Sequence, residues 1–237
     1  FLIKMIRNFL FSIFFFSGII FISIIFLPTI LLPKTIVLFG GKIMGLWTSF
    51  CLQFFLSTKI IIKGKENIIK DKKFFIAASH QSMFETFFLQ TIFNSPIFIL
   101  KKELLKIPIF GWYLKKIGSI SIKRNTIAKE NLGFLDIISQ QISLSDRPLI
   151  IFPQGTRLPP EDRTPFKKGA SRIYEKLNIP CQPVAINSGR TWPKYGPKKT
   201  NTTLIISILK PIDPGLKKEI FLEKLENIIY SELNILD

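Results

Sequence analysis

The sequence predicts an α/β domain carried on an apolar helical N-terminus. Two observations set this class. From residue 58 onward, short apolar runs alternate with amphipathic segments, the order that builds a largely parallel or mixed sheet flanked by helices. Before that, no charged residue occurs from Asn8 to Pro33. A bilayer core takes roughly 20 apolar residues as a helix, so this run is long enough to cross one. The 237 residues therefore divide, by expectation, into hydrophobic anchoring helices over 1–57 and a single domain over 58–237. The second part is large enough to bury a sizeable core.

The elements follow in order. Lys4 and Arg7 precede the first apolar run. A signal peptide has the same basic start, but this run is long for its apolar region and no small-x-small cleavage site follows, which favours a retained anchor. A second apolar stretch, Ile43 to Thr58, is short for a span. Closing a helical hairpin, lying at the interface and packing on the domain are all open to it. Then come strands at 59–63 and 74–78, a helix over 82–93, a strand at 96–100 and a helix over 108–117 closed by Gly118. A strand at 119–122, a helical stretch over 126–142 and a strand at 148–152 follow. The last elements are a helix over 166–177, strands at 182–186 and 203–209, and a terminal helix over 216–233. In such sheets, function gathers in the loops beyond the strand ends.

Charge narrows the partners. The net charge is +17. Residues 1–57 hold four of the 33 basic residues and no acid, which leaves 29 basic against 16 acidic residues, a net +13, on the domain. Anionic lipid, nucleic acid and an acidic carrier all suit that charge. An anchor beside it favours lipid, and no nucleic-acid partner is expected. The two cysteines, Cys51 and Cys181, form neither a disulfide framework nor a metal-ligand cluster, and no metal site is expected.

The chemistry centres on His80, the one histidine in the chain. It directly follows an apolar strand, and imidazole is the usual general base near neutral pH. Such a base needs a partner to fix its tautomer, commonly a carboxylate. Glu85 lies five residues on, within reach if His80 sits in the turn and Glu85 in the first helical turn. Ser82-x-x-Glu85 reads equally as a capping box. A second cluster, Phe152-Pro153-Gln154-Gly155-Thr156-Arg157, follows the strand at 148–152. Gly155 permits unusual backbone angles and Arg157 supplies a planar fork suited to phosphate. An ordinary turn with a solvated arginine is the plainer reading. Lys101 and Arg124 each follow a strand and could face the same rim, although isolated basic residues are more often solvated surface.

Taken together these blocks resemble the 1-acylglycerol-3-phosphate acyltransferase family. They run His80-x4-Glu85, Lys101-x-Glu103-Leu104, Pro108-x-Phe110-Gly111, Gly118 to Arg124, Phe152-Pro153-x-Gly155-Thr156-Arg157, then Pro183-Val184-Ala185-Ile186. The likeness covers about residues 58–210. It implies a single acyltransferase domain in which His80 deprotonates a lysophospholipid hydroxyl and Glu85 orients the histidine. Lys101, Arg124 and Arg157 would bind the substrate phosphate, with Pro153, Gly155, Thr156 and Pro183 in support. Phosphatidic acid would form from 1-acylglycerol 3-phosphate, with acyl-CoA or acyl-carrier protein as donor and no metal or organic cofactor. The implied setting is a membrane, the bacterial inner membrane with the domain on its cytoplasmic side. Two positions depart from the pattern: the first motif usually ends in Asp, here Glu85, and the third usually has Glu where Gln154 stands. Acylation of another lysolipid, such as a lyso-ornithine lipid, is the close alternative. A basic, membrane-tethered binding protein without activity is the distant one, and it would not call for a histidine–carboxylate pair.

Overall fold

The computed structural model describes residues 2–122 and 133–236. Seven strands form one sheet: β1 (Lys59–Lys63), β2 (Phe75–Ala78), β3 (Ile97–Lys101), β4 (Ile120–Ile122), β5 (Leu149–Ile151), β6 (Cys181–Ile186) and β7 (Thr203–Ile208). Their spatial order is β1-β7-β6-β2-β5-β3-β4. Only β6 and β7 pair antiparallel; the other neighbours are parallel. The sheet is therefore mixed and largely parallel, as the alternating pattern predicts. Strands β2 to β6 all point the same way, so their C-terminal ends share one rim.

The short central strands read as unbroken apolar runs because both faces are covered. Alternate residues of β2 serve opposite sides: Phe75 and Ala77 join one buried cluster, Ile76 and Ala78 the other. Pro183 sits inside β6 and is buried. A proline there lacks a ladder donor and belongs at an edge or bulge. Its missing N–H faces β7, where the chain leaves the regular ladder after Ile208. The Leu209 N–H still donates to the Pro183 carbonyl at 3.0 Å, and pairing resumes between Cys181 and Ile212.

One face is covered by α5 (Phe134–Ser143), α6 (Gly169–Leu177) and α7 (Lys218–Leu236). The expected helical stretch over 126–142 is represented by α5; residues 126–132, like Arg124, lie outside the described residues. The other face is covered by α3 (Phe84–Ile92) and by a hairpin of α1 (Leu2–Ile25) and α2 (Lys34–Leu56). A short helix, α4 (Phe110–Lys116), ties to the hairpin tip through the Tyr113 hydroxyl, which donates to the Ser23 carbonyl at 2.6 Å.

The second apolar helix is longer than its apolar run suggests. It begins at Lys34 and carries Lys42 and the pair Gly40-Gly41 inside it. Those residues look like a break in sequence, but Gly40 is a packing site: a Cβ there would lie 2.6 Å from the Phe26 ring. Of the three roles open to this stretch, hairpin closure and packing on the domain both occur. The pairing is antiparallel, since Arg7 reaches Phe55 and Ser57, Trp47 donates to the Phe15 carbonyl, and Phe26 meets Phe39. Arg7 also caps α2, its Nε donating to the Phe55 carbonyl at 2.7 Å, where a cation complements the helix C-terminus. Both helices are long and apolar enough to cross a membrane.

Candidate active site

The shared C-terminal rim collects the chemistry-bearing residues. Along it, the turn after β6 brings Ser188 and the turn after β2 brings His80. The loop after β5 brings Gln154 and Arg157, and the end of β3 brings Lys101. Arg124 follows β4 in sequence, but its placement is outside the described residues.

His80 is fixed by its backbone before its side chain is considered. The preceding residue, Ser79, is fully buried, and its hydroxyl accepts from the Ile186 N–H at 2.8 Å and donates to the Ile186 carbonyl at 3.2 Å. The His80 N–H donates to Gln154 Oε1 at 2.6 Å, and the His80 carbonyl accepts from the Leu158 N–H at 2.9 Å. The loop after β5 thus grips the histidine at both ends. The imidazole lies flat on Phe152, ring centroids 4.1 Å apart and planes 18° from parallel.

This geometry gives Gln154 its role. A buried side-chain carbonyl that accepts one backbone N–H needs no negative charge, and an amide supplies it as well as a carboxylate would. The departure from glutamate therefore leaves the link between the two loops intact.

Glu85 has no exposed surface. A buried carboxylate is costly unless donors surround it. Here Oε1 accepts from the N–H groups of Gln81 and Ser82, both at 3.1 Å, Oε2 accepts from the Ser82 N–H at 3.1 Å, and the Ser188 hydroxyl donates to Oε1. Oε2 lies 3.6 Å from His80 Nδ1. That is an ion-pair separation rather than a formed hydrogen bond, and such contacts tighten when substrate binds. Nδ1 is buried and faces this carboxylate without a formed hydrogen bond. Glu85 makes the glutamate half of a capping box, accepting the Ser82 N–H, while its Oε2 faces the histidine. The helix itself begins at Phe84, two residues later than expected, because the Ser82 hydroxyl turns to accept the Phe84 N–H.

The basic residues fall into two kinds. Arg157 makes no hydrogen bond or ion pair among the described residues and is half-buried, and Lys101 is exposed at the end of β3. Adjacent strands lie about 4.8 Å apart, so the loop of Arg157 starts about one spacing from the strand of His80 and Lys101 about two. Arg147, by contrast, is consumed structurally at the opposite rim. Its guanidinium donates to the carbonyls of Ser95, Pro96 and Ile117, and burial pulls its pKa down to about 10. Gly155 adopts φ +74°, which its neighbours Pro153 and Thr156 could not share cheaply, and its N–H closes the turn onto the Phe152 carbonyl at 2.9 Å. Pro153 is buried and Thr156 exposed. The Pro108–Gly111 block also has a local cause: a Cβ at Gly111 would lie 2.3 Å from the Leu105 carbonyl oxygen.

Sequence reasoning passed over Ser188 and the side chain of Gln81. The Gly189 N–H donates to Gln81 Oε1 at 3.0 Å, so the turn after β6 is bonded both to the histidine loop and, through Ser188, to Glu85 of α3. The small polar run Asn187-Ser188-Gly189 just beyond a strand end was the available signal.

A histidine at a strand end, backed by a buried carboxylate and sharing its rim with Lys101 and Arg157, is an arrangement suited to general-base chemistry in an α/β domain. The comparisons make that class specific. A family model described as Acyltransferase matches residues 59–187, more than half of the chain, and the chain belongs to this family. It is 34% identical over 149 residues to a 1-acyl-sn-glycerol-3-phosphate acyltransferase of Pseudomonas aeruginosa, covering 62% of this chain and 56% of that protein. It is 31% identical over 185 residues to the enzyme of that name from Saccharomyces cerevisiae, covering 74% of this chain and 60% of the yeast protein. The chain thus spans little more than half the length of these curated relatives. The crystal structure of the 1-acyl-sn-glycerophosphate (LPA) acyltransferase PlsC from Thermotoga maritima superposes with a TM-score of 0.80 at 26% identity, over 98% of this chain and 97% of that one.

Proposed function

We propose that this protein transfers an acyl chain from a thioester, carried on CoA or acyl-carrier protein, to the free hydroxyl of 1-acylglycerol 3-phosphate, giving phosphatidic acid. The observation that carries the reading is the pair His80–Glu85, set on the same rim as Lys101 and Arg157, which has no partner among the described residues. His80 Nε2 takes the proton of the lysolipid hydroxyl as its oxygen attacks the thioester carbonyl, and Glu85 steadies the imidazolium across the ring. Collapse of the tetrahedral adduct breaks the C–S bond, and the imidazolium returns its proton to the departing thiolate. The step takes no metal and no organic cofactor. Arg157 grips the phosphate monoester through two parallel hydrogen bonds and Lys101 adds a point charge; Arg124 is the third cation of this set.

The reading also places the reaction at a lipid surface. Strand β1 runs against β2, so the end of α2 and the start of α1 lie at the catalytic rim. Lys4 and Arg7 mark that end, at headgroup level, while the apolar middle of the hairpin enters the bilayer. A bacterial inner membrane with this rim on the cytoplasmic side suits the acyl donors.

The test is acyl transfer by purified protein across lysolipids of matched chain length, read by mass spectrometry. Lysophosphatidic acid should be the preferred acceptor. His80→Ala should lower turnover by about 10²–10⁴-fold, the usual share of general-base catalysis. Arg157→Lys should impair lysophosphatidic acid selectively, because charge remains but the fork does not. Preference for a zwitterionic or amino-acid lysolipid would overturn the acceptor assignment, and full activity of His80→Ala would overturn the mechanism.

A further inference from the structure

The Glu85 carboxylate has two oxygens in different surroundings, and the Ser188 hydroxyl is the one side-chain donor among the described residues that sets them apart. Ser188 is fully buried in the turn after β6, and its Oγ donates to Oε1 of Glu85, the oxygen that also accepts the Gln81 N–H. Oε2 is the oxygen that faces His80 Nδ1. The donor is rigidly supplied. Ser188 opens a 3-10 turn, Ser188–Arg190, whose middle residue bonds Gln81, and a Cβ at Gly189 would come within 2.9 Å of the Gln81 Cβ. Asn187 fixes the turn from below, accepting the Ile205 N–H at 2.7 Å and donating to the Leu236 carbonyl at 3.1 Å.

We infer that Ser188 is a positioning residue for the acyl transfer proposed above. Its hydroxyl, with the Gln81 N–H, pins Oε1 and thereby turns Oε2 toward His80. Without it, only the Gln81 and Ser82 N–H groups hold the carboxylate, and the Ser82 N–H is shared by both oxygens, so the restraint on its terminal torsion, broad and roughly two-fold for glutamate, is weaker. The longer side chain at position 85 makes this restraint necessary. Glutamate has one more rotatable bond than aspartate and spans from α3 to the turn after β6, where Ser188 meets it. The role is distinct from packing, since the side chain involved is a single hydroxyl.

The inference rests on the His80 mechanism, and the experiment separates the two. Turnover and KM for both substrates would be measured for wild type, Ser188→Ala, Ser188→Thr, His80→Ala and the double variant His80→Ala/Ser188→Ala, with thermal unfolding of each. Hydrogen bonds to charged groups are worth enough that Ser188→Ala should lower kcat by roughly 10- to 100-fold with both KM values little changed. Ser188→Thr, which keeps the hydroxyl, should recover most of that loss. If Ser188 acts through His80, Ser188→Ala adds no further loss once His80 is gone, as groups acting as a unit behave. A Ser188→Ala enzyme with wild-type kcat, alongside an inactive His80→Ala, would overturn the positioning role and leave the base intact. Equal falls in residual rate with and without His80 would assign Ser188 to the fold. An active His80→Ala enzyme would instead remove the mechanism itself.

Discussion

The two faces of the sheet are sealed by different means. Helices α5, α6 and α7 are amphipathic. Phe221, Leu225, Ile229 and Leu233 of α7 are buried, while Glu223 and Lys224 are exposed on its far side. Tyr174 of α6 stacks flat on Phe221, centroids 3.7 Å apart. The opposite face is sealed by α3 and the α1–α2 hairpin, whose outer surface is as apolar as its inner one. Phe11, Phe15 and Leu52 have no exposure, yet Phe21 is 62% exposed and Phe54 68%. A helix apolar all round belongs in a large core or in a membrane, and this hairpin has a core on one side only. The difference teaches that the hairpin seals the sheet with one side and leaves the other apolar and exposed, the pattern expected of a membrane anchor. It shares one buried cluster with Ile76, Val184 and Leu204 across the boundary near residue 57.

The contrast can be broken first on its conventional side. Phe221→Ala removes a fully buried ring from the α6–α7 face and should cost about 3–5 kcal/mol. Because Phe221 is fully buried and the outer side of α7 is charged, the loss should be the same in detergent and in lipid, measured by denaturant unfolding. A loss that changes with the medium would mean the two faces are not separate.

Phe15→Ala tests the other side and should be milder. Phe15 packs edge-on against Trp192, centroids 5.0 Å apart, and against Phe87 at 5.7 Å. Lipid tails are as apolar as the ring, so helix packing there gains little from leaving water. The expected loss is about 1.5–3 kcal/mol in detergent and less in lipid. Trp192 lies in the segment that follows Ser188, and Lys198 beyond it exchanges hydrogen bonds with Asn8 of α1, so turnover should fall as well. Unchanged turnover would show that α1 is mechanically separate from the site.

Much of this was legible in sequence. Strand positions were readable because central strands are compact apolar runs between breakers, and the rim followed from parallel order. His80 and Glu85 stood out as a lone histidine after a strand and an acid in the first turn of a helix. Two things were hidden. The start of α2 was obscured because Lys42 and Gly40-Gly41 resemble a break, and only the facing Phe26 shows why glycine is needed. Ser188 was hidden because serine after a strand is common, and its contact with Glu85 joins positions 103 residues apart. Gln154 lay between these cases: its identity was conspicuous, but its bond to the His80 N–H is set by the fold.

The smallest expected effect on folding is also the sharpest test of the outer surface. Phe21→Asn alters a ring that is mostly exposed and lies in the last turns of α1, toward the hairpin tip. Exposed substitutions of this kind usually change stability by less than about 0.5 kcal/mol. If the outer face of the hairpin meets water, asparagine there should be neutral and should improve solubility. If it meets lipid, the change replaces favourable burial, worth about 1.5–3 kcal/mol for a phenylalanine, with the penalty of carrying an amide into hydrocarbon. Vesicle flotation in high salt distinguishes the outcomes, since salt screens the attraction between the basic domain and anionic headgroups and leaves the hairpin as the main attachment. Phe21→Asn should then release a larger fraction of protein than wild type while unfolding at the same denaturant concentration. Equal flotation of the two proteins would mean that this stretch of α1 does not sit in the bilayer, and the hairpin would be a lid alone.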